Sequence, residues 1–266
     1  MINMNVNIEK GKKEYDEKNY KRALDYFDKV SCDDENYAYL VIFKINALME
    51  LEEYEKCLKF LNSLIGDDPY EEVFWYEKIR CHILLDQDEK ALNALHEFER
   101  LIDEDDKYFV LSVAKFYDLL DDSQNALKYC NKAIGLDGNY EEAFMLKSQI
   151  AGSLDDNDMV VECAEKLIQL AEGNMIKLML PFLLHLFVGN FRRSYEIISM
   201  MNGVDGEHQE MLKGVIYKQM CEDLNVSIGF SFPVNADIDE ILNLLFKYKY
   251  DGVKSGTFKD ADYIVV

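Results

Sequence analysis

A small side chain returns at a near-constant interval along this chain, at Ala23, Cys57, Ala91, Ala126, Val160 and Ser194, in steps of 34, 34, 35, 34 and 34 residues. The words around it recur as well: Tyr20 to Phe27, Tyr54 to Leu61 and Asp88 to Leu95 align at the same step. Four residues after each small position stands Phe27, Leu61, Leu95, Cys130, Ala164 or Ile198. On a helix that spacing shares a face. The next inward positions are Val30, Leu64, Phe98, Ala133, Leu167 and Met201. A small residue is what two antiparallel helices need where they approach closely. One such hairpin cannot bury its apolar face alone, so successive hairpins must stack. With 49% hydrophobic residues and only three prolines in 266 residues, long uninterrupted helices can form throughout.

These residues resemble the tetratricopeptide repeat family, whose units run W-x2-L-G-x2-Y, then A-x3-F, then P. Gly11, Tyr20, Ala23 and Phe27 match in the first unit, Tyr54 and Pro69 in the second, Trp75 and Ala91 in the third, and Tyr117, Ala126 and Ala133 in the fourth. The family glycine becomes Ile45, Ile79, Ala114 and Ser148 in later units, and the closing proline survives only as Pro69. The resemblance covers roughly residues 4–207. It implies an all-α, right-handed superhelical solenoid of about six hairpins over residues 1–206, with a C-terminal capping segment over 207–266.

The sixth unit is unusual. Its first helix, Asn174 to Val188, is apolar nearly all round and must be covered on more than one side. Pro181 is expected to kink it or to start a fresh helix. Beyond it, His208 to Asp223 reads as a helix, Gly229 to Pro233 as an extended connector, and Asp237 to Tyr248 as an amphipathic helix. The tail from Tyr263 reads as a short strand or as disorder.

Net charge is −22, from 51 acids against 29 bases. Such a surface repels phosphate backbones and anionic lipid, so neither nucleic acid nor a membrane is an expected partner. No apolar leader segment is visible, and the expected compartment is the cytoplasm. Six cysteines, none in a CxxC pair, give neither a zinc site nor a disulfide framework; Cys57, Cys130 and Cys163 read as inert packed thiols. No phosphate-loop, dinucleotide, zinc-protease or nucleophile-elbow motif occurs. The acidic runs at 103–106 and 155–158 lack the glycine and distal glutamate of a calcium loop, and read as solvated turns. His82 and His185 share one repeat position and read as packed, hydrogen-bonded residues. The chain is expected to be no enzyme, with no cofactor and no metal.

The resemblance implies that the first helix of each unit lines a concave channel holding an extended peptide or a partner helix. One channel position recurs as Lys12, Asn46, Arg80, Lys115 and Gln149, with Tyr39, Tyr76 and Tyr108 nearby. Three bases and two amides in one register of an acidic protein suggest a grip on an acidic or carboxylate-bearing peptide. The competing reading is that a water-filled channel is simply polar. A heat-shock-type carboxylate clamp is not expected, because Ile8, Val73 and Glu77 stand where the clamp needs bases and amides. Farther along, the channel face turns apolar, with Ile176, Met179, Leu183, Leu186 and Phe187. Residues 224–266 folding back over this patch is the first expectation, and a homodimer or an amphipathic partner helix the alternatives. The expected function is a scaffold or adaptor binding a protein or peptide partner. The alternatives are a non-catalytic subunit of an enzyme complex or a peptide-sensing regulator. Gly11 already lies in the first repeat, so the N-terminal DNA-binding domain that such regulators often carry is not expected.

Overall fold

A computed structural model describes residues 5–68, 71–223, 255–258 and 261–264. The first helices of the repeats are α1 (Val6–Asp16), α3 (Tyr37–Glu50), α5 (Glu72–Leu84), α7 (Lys107–Leu119), α9 (Glu141–Ser153) and α11 (Met175–Phe187). The second helices are α2 (Tyr20–Phe27), α4 (Tyr54–Asp67), α6 (Asp88–Leu101), α8 (Ser123–Leu136), α10 (Asn157–Ala171) and α12 (Phe191–Met200). A thirteenth helix, α13 (Gly206–Asp223), follows. Two short strands, β1 (Ser255–Phe258) and β2 (Ala261–Ile264), pair antiparallel with Ser255 opposite Ile264. No described helix is long and apolar enough to cross a membrane.

The repeat governs the packing. All six small-residue positions are completely buried, and the residues four places on are at most 2% exposed. The first helix of every pair also ends in the same way. Lys18, Glu52, Asp86, Asp121, Asp155 and Gly189 all take positive φ, between 52° and 73°. The next N–H then reaches back five residues, as in Asn19 to Glu14 O, Glu53 to Leu48 O and Asn190 to His185 O, at 2.8 to 3.0 Å. This is a Schellman stop, which satisfies carbonyls that the helix end would otherwise orphan. The sixth pair uses the glycine that this conformation favours; the other five use side-chain residues held there by the hairpin.

The chain divides into two compact units, Met1–Tyr129 and Cys130–Val266. In the first, Ile8, Ala23, Phe27, Val30 and Leu40 form one core cluster, and Val41, Ile45, Leu48, Cys57, Leu61 and Cys81 form the next. In the second, α13 closes the core. Leu212, Ile216, Tyr217 and Met220 pack with Leu178, Phe182, Leu186, Ile197 and Ile198. Within residues 224–266, the expected cover, only the strands β1 and β2 are described; Pro69, the connector and the helix expected at 237–248 fall outside the described residues.

Pro181 does not start a new helix: Met175–Phe187 is one element with Pro181 buried inside it. Leu178, Phe182 and Leu186 anchor both sides of the proline in one core, so the lost hydrogen bond is outweighed by burial. Asn174 caps this helix, its side chain accepting from the Ile176 and Lys177 amides.

Candidate functional site

On the first helices of the first unit, the register that begins at Lys12 alternates sharply with its neighbour. The residue preceding each register position is buried: Gly11, Ile45, Ile79 and Ala114. The register position itself stays accessible at Lys12, Asn46, Arg80 and Lys115, and Lys115 is the most open of the four. In the second unit Gln149 is exposed beside buried Ser148, and the same register continues as exposed Leu183 beside buried Phe182.

Two of the three bases are already engaged. Lys12 Nζ donates to Asp16 Oδ2 at 3.1 Å and sits 5.9 Å from the centroid of the Phe43 ring. The Asp16 hydrogen bond, then its charge, raises the Lys12 pKa. Arg80 Nη1 donates to both carboxylate oxygens of Glu77, at 3.0 and 2.8 Å. Burial pushes the Glu77 pKa upward while Arg80 pulls the other way. These partners lie four and three residues away on the same helix, a spacing present in the sequence but invisible when repeats alone are compared. Lys115 has no ion pair among the described residues.

The tyrosines divide. Tyr39 is exposed, its ring 4.9 Å from Phe43, and Tyr108 is exposed in the first turn of α7 with Lys107 over its ring. Tyr76 is a packing residue instead, half-buried between Phe98 and Phe116.

In the second unit the apolar patch also divides. Ile176, Leu183 and Phe187 are 79%, 48% and 64% exposed. Leu186 is not on that face but in the core at 8%, and Met179 is half-buried against it. Nearby, His185 is wholly buried between helices. Its Nε2 lies 3.1 Å from Glu165 Oε1 without the alignment of a hydrogen bond, and its Nδ1 lies 3.4 Å from Asn190 Nδ2. Arg193 clasps Glu165 with two 2.7 Å hydrogen bonds and Glu196 with a third. Burial lowers the His185 pKa, against the pull of Glu165. His82, at the equivalent position, is buried and bonded to Gln87 Oε1 at 3.0 Å; burial lowers its pKa too. Both histidines are packed residues, in line with the reading of the sequence.

The acidic runs have structural work. Asp106 caps α7 through the Tyr108 and Phe109 amides, and Asp156 caps α10 through Met159 N. Among the described residues, no group of three or more His, Cys, Asp or Glu could hold a metal ion. Cys57, Cys130 and Cys163 are fully buried, and burial pushes the Cys163 thiol up to about 11, far from reactive thiolate chemistry.

Comparison with known proteins places this architecture. The family described as Bacterial transcriptional activator domain matches residues 34–106. No curated protein sequence matches the chain. Among solved structures, a tetratricopeptide repeat protein from Parabacteroides merdae superposes with a TM-score of 0.58 at 12% identity, covering 90% of this chain and 96% of that one. MamA from residue 41 onward of Desulfovibrio magneticus gives 0.52 at 16% identity, covering 62% and 93%. TTC0263, a thermophilic TPR protein of Thermus thermophilus, gives 0.50 at 16% identity, covering 68% and 97%. With six buried small-residue positions in one period, six helix stops of one kind and these superpositions, the chain has the tetratricopeptide-repeat fold.

Proposed function

We propose that this chain is a protein-interaction module that captures an extended peptide segment along the first-helix face of its first unit. The observation that carries the reading is the alternation at the Lys12 register: buried residues at one position, accessible polar side chains at the next, repeated on four successive first helices. Side chains at one repeat's spacing suit a ligand that runs across the helices. Asn46 can bond the backbone amides of such a segment without reading its sequence. Tyr39 and Tyr108 offer contact area with few rotors to freeze. Lys115 is open to a carboxylate, and Lys12 holds an exposed intrahelical pair weak enough to be exchanged for a partner's, while Arg80 stays anchored to the largely buried Glu77 with part of its guanidinium accessible. An acidic or carboxylate-bearing segment is therefore the preferred ligand.

In the second unit, exposed Ile176, Leu183 and Phe187 suit an apolar face of a partner or a second copy of the chain. The match to a transcriptional activator domain over residues 34–106 favours, as a second reading, a peptide-sensing regulator. The test is partner capture from cell extract by the full chain. Arg80→Glu with Lys115→Glu should abolish capture while leaving the fold intact by circular dichroism; unchanged capture would sink the first-helix face as the binding surface.

A further inference from the structure

The opposite side of the first unit carries a second feature. Clefts run between successive second helices, and two of them can be compared position by position at the repeat step. The cleft between α2 and α4, of about 660 Å³, is lined by Lys21, Lys44, Lys56 and Lys59 against Asp25, Asp28 and Glu53. Lys44 Nζ lies 2.6 Å from Asp28 Oδ1, and Lys56 Nζ lies 2.8 Å from Glu53 Oε2, with Asp25 beside them.

The next cleft, between α4 and α6, is larger at about 800 Å³ and is lined by Lys59, Lys78, Lys90 and Arg100 against Glu55 and Glu97. Thirty-four residues on, Asp25 has become Lys59, Asp28 has become Asn62 and Glu53 has become Gln87, Lys21 has become Glu55, and Lys44 and Lys56 are kept as Lys78 and Lys90. Lys78 consequently has no carboxylate within 4.0 Å among the described residues; its Nζ sits 4.7 Å from the centroid of the Trp75 ring. Burial lowers its pKa, and no acid opposes that shift. Among the described residues, Lys90 donates only to the neutral Gln87 amide oxygen, at 3.1 Å. Phe60, over which Lys44 packs at 4.5 Å, is replaced by Ala94, which widens the space. The carboxylates at this cleft are Glu55 and Glu97, and Glu97 is already bonded to Arg100 at 2.7 Å.

We propose that the α4–α6 cleft binds a short carboxylate-rich segment of a partner protein, with Lys59, Lys78 and Lys90 facing its carboxylates, Asn62 and Gln87 its backbone, and Trp75 as the contact platform. The argument is charge complementarity. In a chain of net charge −22, Lys78 and Lys90 line this cleft with no carboxylate paired to either among the described residues, which makes a local cationic spot in a repelling field. Such an arrangement fixes where an acidic partner can dock. A long nucleic acid would meet the remaining negative surface. Phosphate recognition favours the bidentate fork of arginine, whereas the central cations here are lysines flanked by amides.

Trp75 is the chain's single tryptophan and lines the cleft, so its fluorescence reports occupancy. The full chain is titrated with a hexaglutamate peptide at low ionic strength, and separately with inorganic phosphate. The expected result is a saturable fluorescence change with the peptide that weakens as salt rises. The triple variant Lys59→Asp, Asn62→Asp, Gln87→Glu restores the residues that the preceding cleft carries at the same positions, so it should fold. Its affinity should drop by roughly tenfold or more. No saturable change in the wild type, equal affinity in the triple variant, or an equal response to phosphate alone would each overturn the proposal.

Discussion

The Phe27 ring lies directly on Gly11: a Cβ added at Gly11 would come within 2.6 Å of Phe27 Cδ1. In the next repeat the equivalent positions are Ile45 and Leu61, so the two sizes trade against each other. Gly11→Ala gains helix propensity but drives a methyl group into a fully packed ring, and should cost about 1–2 kcal/mol net in urea unfolding. Adding Phe27→Leu should recover part of that loss, giving a coupling of about 1 kcal/mol in the double-mutant cycle.

The six helix stops predict opposite effects of glycine. Asp86 holds a left-handed conformation, φ 52°, that costs a side-chain residue about 1 kcal/mol. Asp86→Gly should therefore stabilise by a few tenths to about 1 kcal/mol, less the extra entropy of the unfolded chain. Gly189→Ala, at φ 73°, should destabilise by about 1 kcal/mol. Thermal melts of both variants check the pair.

Buried His185 and His82 both have pKa values lowered below the usual 6.5. The unfolded chain then takes up protons that the folded chain refuses, so stability falls as pH drops below about 6.5, until the folded-state values are reached. Glu165, whose pKa is lowered by Arg193, adds a separate loss as pH falls below about 4.5. His185→Gln should flatten the decline between pH 7 and 5 without abolishing it, since His82 remains. Denaturant midpoints across that range measure the slope.

Ile216 of α13 is fully buried against the α11 and α12 core. Ile216→Asp would place an unpaired charge there and should cost about 3–5 kcal/mol. Strong binding of an apolar dye to the variant, with the first unit's hydrogen-exchange protection unchanged, is the expected outcome.

Much of this fold was legible because one period of about 34 residues fixes both the hairpin and its stacking. Ala23 through Ser194 could be read as a packed line before any helix was placed. Pro181 misled because local backbone chemistry argues for a break, while Leu178, Phe182 and Leu186 hold the helix together from outside. The site was half legible. The register of Lys12 and Arg80 came from the repeat, but their Asp16 and Glu77 partners depend on which way long side chains turn. Tyr76 looked like a contact residue because a helical pattern does not show which aromatic neighbours close over it. The α4–α6 cleft was readable as Asp25, Asp28 and Glu53 giving way to Lys59, Asn62 and Gln87 at one repeat step, against Lys21 giving way to Glu55, a signal that emerges once repeats are compared for charge as well as for small residues.

A partner segment lying across the first-helix face of the first unit would come within reach of the lysines on that face. Cross-linking mass spectrometry of the full chain with its captured partner tests it most directly. Lys12 and Lys115 should both cross-link to one short segment of a single partner. Cross-links confined to lysines of the second helices, such as Lys59 and Lys90, with none from Lys12 or Lys115, would contradict it.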